Sequence, residues 1–144
     1  MKHASLLAAR MLVIDDNESD VLLLGRALKK QDFRFELVHL LSGREALTFI
    51  HRQGPYVDAV NPSLILLDLN LGQYTGEDII QEIRKTSHLA GVPVCVWSSS
   101  RSRRDESLLR TLGVSRFIPK PTGLDQFMEI GKIIRQLMGA ANAD

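Results

Sequence analysis

The chain predicts a doubly wound α/β fold in which five parallel strands alternate with five helices. Three observations carry that prediction. The run Ser63-Leu64-Ile65-Leu66-Leu67-Asp68 has strand length and is aliphatic without alternation, the pattern of a central parallel strand buried on both faces. Other strand-length runs are separated by stretches in which apolar residues recur at helical spacing. Several of these runs end on polar or charged side chains, at the edge where open α/β sheets build their sites.

The elements follow in order. Residues 1–10 read as an N-terminal extension, 11–138 as one domain and 139–144 as a frayed tail. Strand one is 11–14, ending in Asp15-Asp16, and a polar residue near Ser19 caps a helix carrying Val21, Leu22, Leu24 and Leu28. Residues 33–41 form strand two, and Ser42 opens a helix with Ala46, Leu47, Phe49 and Ile50 inward. A long connection, 54–62, leads to the central strand. Helix three starts at Gly76, with Ile79, Ile80 and Ile83 on its apolar face, and ends at 88–91. Strand four, 92–97, runs into Ser98-Ser99-Ser100. A basic loop (Arg101, Arg103, Arg104) opens helix four, with Leu108, Leu109 and Leu112. Strand five, 116–119, is followed by Lys120-Pro121, and the last helix covers 124–138.

Bulk properties narrow the class. A chain of 144 residues can bury a core without staples, and its single cysteine, Cys95, sits between valines as a small hydrophobe. Together these suggest a reducing, cytoplasmic setting. No stretch approaches the ~20 apolar residues of a membrane span, and the start is too briefly apolar for a signal peptide. A net charge of +1 argues against a general nucleic-acid binder, so neither nucleic acid nor membrane is expected as a partner. The basic run at 101–104 reads as a solvated helix start before a docking surface. His3, His39, His51 and His88 have no metal spacing and receive no role.

In the flavodoxin-like strand order 2-1-3-4-5, strands one and three flank the topological switch point. Asp15, Asp16 and Asp68 then converge, with Ser98 and Lys120 arriving from strands four and five. Each has a plain structural reading: caps for the acids, loop for the serine, an exposed strand end for the lysine. Their company favours chemistry. Two carboxylates at ~4 Å repel by about 4 kcal/mol at an effective dielectric of ~20, a large share of a fold's ~5–15 kcal/mol. A cation relieves that, and an all-oxygen, mostly hydrated site suits Mg²⁺. Lys120 and Ser98 supply a positive charge and a hydroxyl for phosphate oxygens. An EF-hand reading of 15–26 fails, because no glycine stands at the turn and no glutamate closes the loop. Asp68 therefore reads as an acceptor of phosphate.

Four motifs, Val13-Ile14-Asp15-Asp16-Asn17, Leu66-Leu67-Asp68-Leu69-Asn70, Trp97-Ser98-Ser99 and Phe117-Ile118-Pro119-Lys120-Pro121, stand in the order and spacing of a known family. From residue 11 to 138 the chain resembles the CheY-like receiver domains of two-component response regulators. The resemblance implies that Asp68 is phosphorylated and that Lys120 pairs with the phosphoryl group. It implies that Asp16 binds Mg²⁺ directly, Asp15 mostly through water, and Asn70 through its backbone carbonyl. Ser98 falls at the hydroxyl switch position, Phe117 at the aromatic rotamer position, and Pro121 after a peptide bond that is usually cis. Two departures stand out. Leu71-Gly72-Gln73-Tyr74 replaces the common Leu-Pro-Gly, which questions the stiffness of that loop, and Phe117 lacks the hydroxyl of the frequent tyrosine.

The long 54–62 connection looks most like the stand-alone receivers that serve bacterial phytochrome histidine kinases. The function implied is a single-domain response regulator of a phosphorelay, taking its phosphoryl group from a sensor histidine kinase, here a bacteriophytochrome. It would promote its own phosphorylation and dephosphorylation without being an enzyme toward other substrates. Family behaviour implies output by protein contact, including a homodimer, through helix four to helix five. Two rivals are a haloacid-dehalogenase-type phosphatase with Asp68 as nucleophile and a flavin-binding electron carrier. The first wants a second acid where Asn70 stands, and the second would meet acids where the cofactor's phosphate must sit.

Overall fold

A computed structural model describes residues 9–99 and 103–142. Its main sheet comprises β1 (Ala9–Ile14), β2 (Phe35–Leu40), β3 (Leu64–Asp68), β4 (Val94–Ser98) and β5 (Val114–Pro119). All neighbours pair in parallel, in the expected order β2-β1-β3-β4-β5. Between the strands run α1 (Glu18–Lys29), α2 (Gly43–Ile50), α3 (Gly76–Lys85) and α4 (Arg103–Thr111), and α5 (Leu124–Asn142) closes the fold.

Every residue of β3 is buried, as its unalternating aliphatic sequence requires of a central parallel strand. The two faces build separate cores. Leu12, Ile14, Ile65, Leu67, Val94 and Val96 pack beneath α2, α3 and α4 through Ala46, Phe49, Ile79, Ile80, Ile83 and Leu109. Met11, Val13, Leu64, Leu66, Cys95 and Trp97 pack beneath α1 and α5 through Leu24, Leu28, Phe127, Ile130 and Ile134. Burial pushes the Cys95 thiol up to about 11, Arg116 opposing, in keeping with a structural hydrophobe.

Several boundaries differ from those predicted. β1 begins at Ala9, whose N–H reaches Arg34 O at 3.3 Å, inside the stretch read as an extension. α3 stops at Lys85. There the Thr86 hydroxyl donates to Glu82 O at 2.7 Å, and the Arg84 guanidinium gathers the carbonyls of Ala90, Val92, Leu112 and Gly113 at 2.9–3.0 Å. One side chain thus ties the turn before β4 to the turn before β5. α5 runs past Met138 to Asn142. The connection 54–62 holds a 3₁₀ turn, Gly54–Tyr56, fastened by the Tyr56 hydroxyl donating to Glu45 Oε2 at 2.8 Å. Residues 69–75 fold into a ribbon pairing Asn70 with Thr75 and Leu71 with Tyr74. Gly72, at φ +70°, takes the first place of its two-residue turn, as a II′ turn demands, so the absent Leu-Pro-Gly is replaced by a hydrogen-bonded hairpin. No cis peptide bond occurs among the described residues, so Lys120–Pro121 is trans, contrary to the resemblance. Ser100 and Arg101 lie outside the described residues. Among those described, no helix is long and apolar enough to cross a membrane.

Candidate functional site

Strand register brings the acids together. Ile14 stands opposite Leu67 and Asp68 opposite Trp97, so Asp15 and Asp68 emerge side by side at the C-terminal edge of the sheet. Side chains alternate along a strand. Asp15 therefore follows Met11 and Val13, and Asp68 follows Leu64 and Leu66, toward the α1/α5 face. β4 and β5 pair as far as Ser98 opposite Pro119, and the Lys120 N–H extends that ladder by donating to Ser98 O at 2.9 Å.

The Lys120 side chain lies on the same face, only 9% exposed. Its Nζ is 2.9 Å from Asp15 Oδ2, 2.9 Å from Asp20 Oδ2 and 3.2 Å from Asp68 Oδ2. It also approaches the ring of Trp97, at 5.2 Å from the centroid. Burial pulls the ammonium's pKa down, but the bonds to Asp15 and Asp20 and the charges of Asp15 and Asp68 outweigh it and hold the value above the ordinary lysine range. For Asp68 the balance tips the other way. Burial raises its carboxyl above the usual range, the Asn70 N–H opposes, Asp15 adds to the rise, and Lys120 only partly compensates.

The carboxylates are held by local hydrogen bonds. Asp15 Oδ1 accepts the N–H of Asn17 at 2.8 Å, and Asp68 Oδ1 accepts that of Asn70 at 3.1 Å. His39 Nε2 donates to the Asp15 carbonyl at 2.7 Å, and the Asp15 N–H donates to Leu40 O at 3.0 Å, fixing the backbone under the first acid. Asp15 and Asp68 are buried and Asp16 is exposed, and each offers an oxygen within 4.8 Å of the others. That donor set can hold a divalent cation. Asp15 Oδ2 is wholly buried, with the Lys120 ammonium 2.9 Å away. All-oxygen ligands suit a hard cation.

Ser98 is buried at the end of β4. Phe117 lies on the other face, half-buried against the α2–α4 core, with the Arg110 guanidinium 5.1 Å from its ring centroid. Asn70 is exposed at the start of the ribbon. The structure thus brings Asp15, Asp16, Asp68 and Lys120 together, and it adds Asp20 and His39, which the sequence reading does not include. Asp20 had a signal, an Asx at 17 followed by an acid at 20, but that spacing reads as an ordinary helix cap. His39 had none, because its bond is to a backbone carbonyl.

Comparison with known proteins agrees with this geometry. The family model described as the response regulator receiver domain matches residues 11–132. The response regulator Rcp1 of Synechocystis sp. is 31% identical over 120 residues, 83% of this chain and 82% of that protein. Its Mn²⁺-bound crystal structure has a TM-score of 0.81 at 30% identity, covering 89% of this chain and 92% of that one. The phosphorylated cyanobacterial phytochrome response regulator RcpA gives 0.85 at 31% identity, covering 95% and 97%. The bacteriophytochrome response regulator AtBRR gives 0.71 at 31%, covering 92% and 93%. With the strand order, the acid pair beside a buried aspartate and the buried lysine all in agreement with that match, the chain belongs to the response regulator receiver domain family.

Proposed function

We propose that Asp68 accepts a phosphoryl group from a phosphohistidine of a sensor kinase. A carboxylate oxygen of Asp68 attacks phosphorus in line, the P–N bond breaks, and the imidazole leaves with a proton. Phosphoryl transfer needs chiefly positioning and charge neutralisation. Lys120, held against Asp68 Oδ2 at 3.2 Å, supplies a fixed positive charge, and the buried Ser98 is sited to donate its hydroxyl to a phosphoryl oxygen. Asp15, Asp16 and Asp68, with the Asn70 backbone carbonyl, hold a divalent cation, Mg²⁺ by the chemistry of the donors. When bound, that ion neutralises charge on the phosphoryl oxygens. The same site returns the group to water, so the protein is a phosphoacceptor that resets itself rather than an enzyme toward other substrates.

The single observation that carries this reading is the ring of carboxylates around one ammonium, with Asp15, Asp16 and Asp68 each offering an oxygen within 4.8 Å of the others. Similarity to phytochrome response regulators supports a phytochrome-type histidine kinase as donor. The new charge draws Ser98 and Lys120 toward it and lets Phe117 repack against α4. The message then leaves through the α4-β5-α5 face, by dimerisation or partner docking. A haloacid-dehalogenase-type phosphatase finds no support, since an amide, Asn70, stands where such enzymes carry their second acid.

Acetyl phosphate with Mg²⁺ should label wild type once and leave Asp68→Asn unlabelled, as read by intact mass. Persistent label on the variant would overturn the assignment. A phosphotransfer profile over purified sensor kinases, light-responsive ones included, should favour the latter, and a preference for another class would overturn the choice of donor.

A further inference from the structure

We infer that Asp20 is a positioning residue that retains Lys120 in the unphosphorylated protein and must release it when a phosphoryl group arrives. The inference rests on the reading of Asp68 as phosphoacceptor.

An ammonium has three N–H donors. Here three carboxylates lie within reach of them, from Asp15, Asp20 and Asp68. A phosphoryl oxygen can gain Lys120 only by displacing one of these. Asp15 and Asp68 belong to the cation-holding set and are 0% and 7% exposed at the side chain, whereas Asp20 is outside that set and 22% exposed. Water can solvate Asp20 once it lets go, so it is the partner most easily displaced.

Local structure explains why Asp20 is available. It occupies the third position of α1, where an acid ordinarily turns back to accept the N–H of the cap residue. That N–H, of Asn17, is already bonded to Asp15 Oδ1 at 2.8 Å. Asn17 still caps the helix by accepting the Asp20 N–H at 3.1 Å, but the Asp20 carboxylate is left to reach across to β5 and Lys120. The retention is therefore built by Asp15, Asn17, Asp20 and Lys120 acting together.

Asp20→Asn keeps the shape and replaces a charge-assisted bond by a neutral one roughly half as strong. At saturating Mg²⁺, the rate of labelling by acetyl phosphate should rise about fivefold, with beryllofluoride, a phosphoryl mimic, bound tighter by a similar factor. The only tryptophan, Trp97, reports that binding through its fluorescence, because Lys120 lies 5.2 Å from its ring. Glu18→Gln removes the same charge from the same exposed helix turn without touching Lys120 and should change neither quantity. Asp20→Glu should return both toward wild type. An unchanged or slower Asp20→Asn, or an equal gain from Glu18→Gln, would overturn the inference. Failure of the wild type itself to label would instead overturn the phosphoacceptor reading.

Discussion

Two helices begin at the functional edge with nearly the same local sequence logic and different outcomes. At α3, Thr75 Oγ1 accepts the Asp78 N–H and Asp78 Oδ2 accepts the Thr75 N–H, both at 3.2 Å, so the reciprocal cap is closed. At α1, Asn17 Oδ1 accepts the Asp20 N–H in the same way, but the return bond is absent because Asp15 has taken the Asn17 N–H. A cap acid that bonds its own helix start stabilises it, whereas one prevented from doing so is free to meet a lysine from a distant strand. What separates them is the residue at the end of the preceding strand, not the helix sequence.

Breaking the α1 arrangement at its far end should have the largest effect. Lys120→Met leaves Asp15, Asp20 and Asp68 facing one another with no ammonium between them. We expect about 3 kcal/mol lost from the urea unfolding free energy without added metal, partly restored by Mg²⁺. The pH dependence has a definite sign. Because the pKa of Lys120 is raised on folding, its stabilisation is complete below the unfolded lysine value near ~10.4 and is lost only as pH climbs through the folded one. The gap between wild type and Lys120→Met should therefore stay level from about pH 7 to pH 9 and close only in more alkaline solution.

Opening the α3 cap should do less, and only to stability. Thr75→Ala removes the side-chain acceptor and should lower the unfolding free energy by about 1 kcal/mol while leaving the acetyl phosphate labelling rate unchanged. Smaller still is Asp78→Asn, which keeps the hydrogen-bonding shape and weakens the charge at a helix N-terminus, for about 0.5 kcal/mol. A marked rise in labelling rate from either α3 variant would erase the distinction between the two helix starts.

Much of this is legible in the sequence. The Leu64-Ile65-Leu66-Leu67 run required a strand buried on both faces, and strand ends carrying Asp15, Asp16, Asp68 and Lys120 required one site once the strand order was taken as doubly wound. Features set by contacts distant in sequence were hidden. The partner of Asp20 is a lysine from the far end of the chain, and the ribbon at 70–75 depends on the positive φ of Gly72 and on Tyr74 packing so closely on Gly43 that a Cβ there would meet its ring at 2.6 Å. The early stop of α3 depends on Arg84 finding carbonyls in two turns that sequence periodicity does not connect.

The central claim is that Asp68 receives the phosphoryl group, and mapping the modified residue after exposure to acetyl phosphate and Mg²⁺ tests it most directly. Reductive trapping of the acyl phosphate followed by peptide sequencing should place the modification on Asp68 and nowhere else. Modification found at another aspartate, or none on a folded protein shown to bind the metal, would contradict it.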